Sequence, residues 1–240
     1  MDECVHYARL SVPSFAKRLK EHPVGYIPLG TLEWHGLHNV LGADALQADG
    51  IFTRAAKRFG GIVFPPLYLG PDRIEAGPEG TNLIGMDYSD ATKPHQRLEG
   101  SCYWVSNGLF LMMLEALVVQ AKRAGFICLL ADGHGPSRKA WAHMAGQWEK
   151  QYDIILLSSI NDFDAQSFVT QQDHAGRNET SVMMALHPDL VDLSRIEDSS
   201  GAWPLGVKGE DPRLSTAAYG QYLIETTVEA IGRKLLELGL

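Results

Sequence analysis

The stretch FICLLADGHG, residues 126–135, gives the clearest indication of the fold. Its first half is short and apolar, which is typical of a buried strand, and its Asp-Gly-His-Gly ending is typical of a turn. The segment VGYIPLG, residues 24–30, is likewise a short apolar run that ends in glycine. Both segments therefore predict the buried strands of a parallel sheet, which are apolar on both faces.

Outward from these two strands, strand-like and helix-like segments alternate along the chain. Further strands are predicted at residues 61–70, where Pro65 and Pro66 shorten the strand, and at residues 152–160, YDIILLSSI. Helical spacing of apolar residues between capping and stop residues predicts helices. The predicted helices span residues 44–60, 104–125, 137–151, 178–186 and 215–238. The alternation predicts an α/β fold, a three-layer α/β/α arrangement with a mainly parallel central sheet.

Length and composition predict one domain over residues 1–240 and limit its partners. A chain of 240 residues is long enough for one sizeable core, and it has no internal repeat or linker. The polar, Gly- and Pro-bearing stretch 71–103 has weak periodicity, so we expect a loop-rich insert there. A net charge of −8 argues against a nucleic-acid partner.

The apolar segments, the first residues and the cysteines indicate the compartment that we expect for the protein. No apolar run approaches the roughly 20 residues that cross a bilayer, and MDECVHYARL does not resemble a secretory signal. The scattered Cys4, Cys102 and Cys128 form no CxxC pair, which argues against a disulfide or a zinc site at these residues. We therefore expect a cytoplasmic protein that does not bind membranes.

Polar clusters follow three of the predicted strands. They contain Glu33 and His35, then Asp132 and His134, and finally the segment 162–179. In open α/β sheets, ligands bind beyond the carboxyl ends of the strands. The three clusters are therefore expected to meet at one edge of the sheet.

The segment GTLEWHGLHNVLGAD, residues 30–44, holds two histidines and two carboxylates. Glu33 and His35 are two residues apart, so an extended backbone would point them the same way. Imidazole and carboxylate together suit zinc, manganese or iron, whereas calcium favours oxygen ligands alone. Asp44, next to a predicted helix start, could bridge two metals. The alternative is that Asp44 only caps the helix and His35 only bonds to loop backbone.

The residues of the other two polar clusters also have either a metal-binding or a purely structural interpretation. His134 lies between two glycines at a strand end, where it is either a ligand or an ordinary turn histidine. Glu179 lies near the start of a predicted helix, where the helix dipole alone also favours a carboxylate. His174 precedes it by five residues.

Taken in order, these segments resemble the creatininase (creatinine amidohydrolase) family. The family pattern is approximately P-x-G-S-x-E-Q-H-G-P-H-L-P followed by D, then N-G-H-G-G-N, then H-A-G-E-x-E-T-S. The chain has IPLGTLEWHGLHNVLGAD at 27–44, DGHGPS at 132–137 and HAGRNETS at 174–181. GVKGEDPRLSTAAYG, residues 206–220, also resembles the family's G-x-x-G-D-P-x-x-A-T segment. The resemblance implies a creatininase-like fold and a divergent member rather than a true creatininase.

The resemblance implies a binuclear site for two divalent transition-metal ions (Zn, Mn or Fe). By position, Glu33 and His35 each bind one metal, Asp44 bridges both, and His134 completes one of them. True creatininases have a further glutamate ligand two residues after this histidine, where the chain has Pro136. Glu179 matches the glutamate of the E-T-S motif and is the expected fifth ligand.

The resemblance also implies hydrolysis, with a metal-activated water attacking a carbonyl of a small polar substrate. His174 matches the family histidine near the substrate and is the candidate proton donor or oxyanion stabiliser. Cleavage of a cyclic or linear C–N amide is favoured. The family also allows a keto-inositol ring (C–C) hydrolase, a formamide deformylase and a peptide-trimming peptidase. A non-catalytic metal-binding or small-molecule-binding protein is the alternative from another class.

Further side chains are candidates for contact with the substrate. Those close to the motifs are Trp34, His38, Asp132 and Arg177. Asp132 is also a candidate for orienting His134. A small anionic or polyol substrate would suit the cations Arg73, Lys93, Arg97 and Arg177. The family commonly forms hexamers, so a homo-oligomer is expected.

Overall fold

The computed structural model describes residues 4–77, 80–170, 172–196 and 202–240. The strands are β1 (Val24–Leu29), β2 (Ile62–Val63), β3 (Ile74–Ala76), β4 (Asn82–Ile84), β5 (Cys128–Gly133) and β6 (Ile155–Ser158). A parallel sheet has the strand order β2-β1-β5-β6, and β3 pairs with β4 in a separate antiparallel hairpin. The central sheet is therefore parallel, as the sequence predicts.

Helices cover both faces of this sheet. The α-helices are α1 (Val12–Glu21), α2 (Ala43–Phe59), α3 (Asn107–Ala124), α4 (Gly135–Tyr152), α5 (Arg177–Leu186) and α6 (Ala217–Glu237). One core contains buried side chains of α2, α5 and α6, including Phe52, Val182 and Ile224. The other contains buried side chains of α3 and α4, including Phe110 and Trp141.

The alternation of strand side chains explains why there are two cores. On β1, Val24 and Tyr26 belong to the core with α2, α5 and α6. Ile27 and Leu29 belong to the core with α3 and α4. Successive side chains of a strand point to opposite faces, so a strand covered on both sides must be apolar throughout. All six residues of β1 are buried, and the three-layer α/β/α prediction is confirmed.

The strand predicted at 61–70 is much shorter than expected. Only Ile62–Val63 forms a strand, because Pro65 and Pro66 have no backbone N–H to donate to a ladder. Leu67 still donates to Pro28 and accepts from Gly30, so the segment continues beside β1. The predicted loop-rich insert contains the β3–β4 hairpin. Helix α1, which is capped by the Ser11 hydroxyl, is not among the predicted helices.

Among the described residues, no helix combines the length and apolar character that a membrane crossing requires.

Gly133→Ala is expected to destabilise the fold by about 2 to 6 kcal/mol. Gly133 ends β5 beside Leu29 with a φ of +143°, and an added Cβ would overlap the carbonyl oxygen of Leu29. The substitution thus combines backbone strain with a clash between the two central strands. Urea unfolding measures the loss.

The matched control is Gly146→Ala in the interior of α4, where an added Cβ meets no atom within 4 Å. That change is expected to be stabilising by up to about 1 kcal/mol, because alanine favours the helix. Equal unfolding free energies for the two variants would show that the β1–β5 contact does not require glycine.

Candidate metal centre

The predicted ligands are carried by elements that end or begin at one edge of the sheet. The β1–β5 pairing places Leu29 beside Gly133, so the loops that leave both strands start together. Helix α2 carries Asp44 in its first turn, and α5 carries Glu179 in its first turn. The elements converge on a cavity of about 460 Å³, lined by Glu33, Asp44, His134, His174 and Glu179 among others.

One cluster of possible ligand atoms consists of Glu33, Asp44 and His134. The Nδ1 atom of His134 lies 2.9 Å from Glu33 Oε1 and 3.2 Å from Asp44 Oδ2. A ligand atom from each of the three residues lies within 4.8 Å of the others. Residues from two strand ends and a helix start thus meet around one point.

A second cluster consists of His35, Asp44 and Glu179. The Nε2 atom of His35 lies 3.6 Å from Asp44 Oδ2 and 3.6 Å from Glu179 Oε2. These ligand atoms also lie within 4.8 Å of one another. The same oxygen of Asp44 contacts both histidines, so Asp44 joins the two clusters.

The hydrogen bonding of His35 leaves one ring nitrogen facing the carboxylates. The Nδ1 atom of His35 lies 3.1 Å from the Glu33 carbonyl oxygen, an arrangement in which Nδ1–H donates and Nε2 faces the carboxylates. His35 is completely buried, and its Nε2 makes no hydrogen bond to any described residue. Buried polar atoms in proteins are normally paired. An imidazole lone pair among carboxylates fits a divalent transition-metal ion, which would give the Nε2 atom of His35 a partner.

The electrostatics of the clusters also favour a cation. Burial opposes charge on His35, but the carboxylates of Asp44, Glu179 and Glu33 together outweigh it and raise the pKa of His35 to about 10. Burial likewise opposes charge on His134, but the carboxylates of Glu33, Asp44 and Asp72 together raise its pKa well above the usual value. Burial raises the pKa of Glu179 well above its usual value. Without a cation, protons on these side chains must offset the buried negative charge, and a divalent ion can replace them.

His174 lies beside both clusters in a defined orientation. Its Nε2–H donates to the Trp34 carbonyl oxygen at 2.7 Å, which leaves Nδ1 facing the cavity 3.8 Å from Glu33 Oε1. Its ring packs on His35 with 4.4 Å between the ring centroids. Burial lowers the pKa of His174, so its Nδ1 is available to accept a proton near neutral pH.

The side chains of Trp34 and His38 point away from the ligand clusters. The Trp34 indole donates to the Leu205 carbonyl oxygen at 2.9 Å and, with His38, lines a separate cavity of about 220 Å³. The Nε2 atom of His38 lies 2.9 Å from Thr180 Oγ1 and 3.1 Å from the Ala175 carbonyl oxygen. His38 therefore supports the segment that carries Glu179.

Asp132 and Arg177 also have partners elsewhere. The Asp132 carboxylate accepts a hydrogen bond from the Ser159 hydroxyl, and Arg177 pairs with Glu210 at 2.7 Å. None of Trp34, His38, Asp132 and Arg177 is among the described residues that line the larger cavity.

Other residues that line the larger cavity were not candidates from the sequence. They include Asp72, Arg138, Lys139 and Lys208, beside the anticipated Arg73. Asp72 lies in the insert, and its Oδ2 is 3.6 Å from Nε2 of His134. Its sequence surroundings, Gly70-Pro71-Asp72, indicate only a turn.

Known proteins resemble the chain over nearly its whole length. A family model described as creatininase, creatinine amidohydrolase, matches residues 8–235. Creatinine amidohydrolase from Pseudomonas putida is 27% identical over 225 residues, covering 88% of this chain and 84% of the relative. The mycofactocin precursor peptide peptidase of Mycolicibacterium smegmatis is 24% identical over 238 residues, covering 89% and 84%.

Solved structures share the fold. A crystal structure of creatinine amidohydrolase has a TM-score of 0.74 at 20% identity, covering 98% of this chain and 97% of that chain. A protein from Bacteroides fragilis, described as a putative creatinine amidohydrolase, has a TM-score of 0.68 at 23% identity, covering 97% and 95%. The family resemblance drawn from the sequence motifs is confirmed: the chain belongs to the creatininase family of metal-dependent amidohydrolases.

Proposed function

We propose that the chain hydrolyses a carbon–nitrogen amide bond in a small polar substrate, using two divalent transition-metal ions. The proposed ligands are Glu33, His35, Asp44, His134 and Glu179. The observation that carries the proposal is that one Asp44 oxygen belongs to two ligand clusters at the wall of one cavity. When bound, such ions lower the pKa of water and polarise a substrate carbonyl.

Zinc and manganese are the metals that we favour. The ligand set of imidazole and carboxylate suits both. Two solved creatininases with this fold are described as a manganese form and as a Zn-Zn type. The second description supports two ions per chain.

His174 is the proposed catalytic side chain. The Trp34 carbonyl oxygen holds its Nε2–H, so Nδ1 is the atom that faces the reacting groups. We propose that Nδ1 takes up a proton and delivers it to the leaving nitrogen. Burial lowers the pKa of His174, so its imidazole is neutral before the reaction, and Nδ1 can accept a proton and then give it up readily.

The cavity wall holds cationic side chains beside the carboxylates of the proposed ligands, which supports a substrate that carries negative charge when divalent ions are bound. Its cationic side chains are Arg73, Arg138, Lys139 and Lys208. Arg138 and Lys139 lie in the first turns of α4, whose N-terminus also favours anions. Pro136, where true creatininases have a ligand, supports a substrate other than creatinine.

Peptide trimming is the second candidate function. Two relatives at 24% identity are named mycofactocin precursor peptide peptidases. The C-terminal carboxylate of a peptide is a group that the cationic wall could bind. This candidate also cleaves a C–N amide.

A substrate panel tests the proposed function. Purified enzyme loaded with zinc or manganese is incubated with cyclic amides, linear amides, formamides, short peptides and keto-inositols, each amide with and without a carboxylate. We expect turnover of an amide, with preference for the carboxylate-bearing form. Turnover of keto-inositols alone would overturn the choice of C–N cleavage.

We also propose that residues 1–240 form one domain in a cytoplasmic homo-oligomer, with a hexamer as the expected assembly. The exposed side chains Leu109 (47%) and Met112 (68%) of α3 support contact between subunits. The free thiols Cys4, Cys102 and Cys128 fit a reducing compartment. Sedimentation velocity tests the assembly, and a monomer at all concentrations would contradict it.

Removal of metal with a chelator is expected to lower Tm by about 5 to 10 °C relative to protein with zinc at 100 times Kd. The physical reason is that a ligand bound only by the folded state stabilises that state. Differential scanning fluorimetry before and after zinc is restored measures the shift. Asp44→Asn, which lacks the shared carboxylate, should show little zinc-dependent shift. An unchanged Tm in the unsubstituted enzyme would contradict a metal site.

A further inference from the structure

The Asp72 carboxylate reaches the metal centre from the insert. Its side chain is only 7% exposed, and its Oδ2 lies 3.6 Å from Nε2 of His134. That nitrogen is buried and makes no hydrogen bond to any described residue. The 3.6 Å separation is longer than a normal hydrogen bond, so a small shift of either side chain would complete the pair.

The two nitrogens of His134 face different groups. Nδ1 lies among Glu33 and Asp44, where a metal ion would require its lone pair. The proton of a neutral imidazole then resides on Nε2, the atom that faces Asp72. Metal-binding histidines usually donate their other ring N–H to a carboxylate, a carbonyl or water. His35 has the Glu33 carbonyl for this purpose, whereas His134 has Asp72.

The start of the hairpin fixes the position of Asp72. Its Oδ1 accepts a hydrogen bond from the Arg73 backbone N–H at 2.7 Å. The Gly85 N–H donates to the Arg73 carbonyl at 3.0 Å, which brings the backbone of Gly85 against the carboxylate. Gly85 has a φ of +57°, and an added Cβ there would overlap Asp72 Oδ2. Glycine at this position thus leaves the space that the carboxylate occupies.

We propose that Asp72 is a positioning residue, which accepts a hydrogen bond from Nε2–H of His134 and holds Nδ1 toward Glu33 and Asp44. The proposal rests on the proposed metal function of that cluster. Asp72 and the next residue, Arg73, line the same cavity as the proposed ligands.

Calorimetric titration with zinc alone tests the role of Asp72. Metal-free wild type, Asp72→Ala and Asp72→Asn are compared with the control Asp90→Ala, whose exposed carboxylate in the same insert pairs with Lys93 at 3.4 Å. Asp72→Ala should weaken one of the two zinc sites by about 10- to 100-fold and leave the other unchanged. Asp72→Asn keeps an oxygen acceptor without the charge, so it should lie between wild type and Asp72→Ala. Asp90→Ala should titrate as wild type.

Nitrogen-15 NMR of labelled histidines gives a second measurement that is independent of activity. In zinc-loaded wild type, His134 should show a protonated Nε2 and a metal-bound Nδ1. Asp72→Ala should change the Nε2 signal of His134 and leave that of His35 unchanged. Circular dichroism checks folding, and Asp72→Asn carries the test if the alanine variant does not fold.

The outcomes separate the two proposals. If wild type binds zinc and Asp72→Ala and Asp72→Asn titrate identically to it, the role of Asp72 is refuted and the metal site stands. If wild type itself binds no zinc or manganese, the proposed function fails and the role of Asp72 fails with it. Weakening of both zinc sites to the same extent would indicate a general structural effect and would also overturn the positioning role.

Discussion

Asp44→Asn is expected to remove both metal ions at once and to lower kcat by roughly 10³-fold, about 4 kcal/mol in activation free energy. The carboxylate oxygen Oδ2 lies 3.2 Å from Nδ1 of His134 and 3.6 Å from Nε2 of His35. Its loss would leave each cluster with two protein ligands instead of three. The amide has nearly the same shape, so the change tests charge and ligation more than volume.

Elemental analysis and turnover of an accepted substrate measure this effect. Asp49→Asn is the matched control, because Asp49 lies on the same helix, where its carboxylate is 3.5 Å from His6. It should keep its metal and its activity. Two ions per chain and full activity in Asp44→Asn would contradict the shared ligand. Loss of a single ion would show that the two clusters bind independently.

The layered fold could be predicted from apolar strands because burial on both faces makes β1 and β5 apolar, apart from Asp132 near the end of β5. All residues of both strands are buried. The length of β2 and the existence of α1 were harder to predict. Pro65 and Pro66 end the ladder while the chain still runs beside β1, and α1 is a short helix that begins at Ser11-Val12-Pro13.

The convergence of the proposed ligands could be predicted because they follow parallel strands or open adjacent helices, whose ends meet at one edge. Simple geometry also explains why Trp34 and Arg177 point away from the ligand clusters. Trp34 lies between Glu33 and His35, and successive side chains of extended backbone point to opposite sides. Arg177 and Glu179 are two residues apart on α5, about 200° around a helix, so they face different ways.

Asp72 could not be predicted from spacing or periodicity. It is 62 positions before His134 in a stretch without regular alternation, and the contact depends on how the insert folds back over the cavity. A carboxylate after Gly70-Pro71 indicates a turn, whatever else it contacts. Tertiary structure alone brings it to the histidine.

His174→Gln is expected to lower kcat by about 10²- to 10⁴-fold with the metal content unchanged. The Trp34 carbonyl accepts a hydrogen bond from Nε2–H of His174 at 2.7 Å, so Nδ1 faces the cavity and is the atom that we propose to carry the proton. Glutamine can replace a hydrogen bond but cannot take up and release a proton. Because a proton-transfer group acts in the transition state, kcat and kcat/KM should fall together.

Metal content is the decisive measurement in this experiment, because possible ligand atoms of His174, Glu33 and His35 also lie within 4.8 Å of one another. Loss of a metal ligand and loss of a proton carrier would both reduce activity, but only loss of a ligand would reduce metal content. His143→Gln, the same substitution on an exposed position of α4, provides the control. Retained metal with lost turnover assigns proton transfer to His174. Parallel loss of metal and turnover would show that His174 is a metal ligand. Another cavity residue would then have to protonate the leaving group.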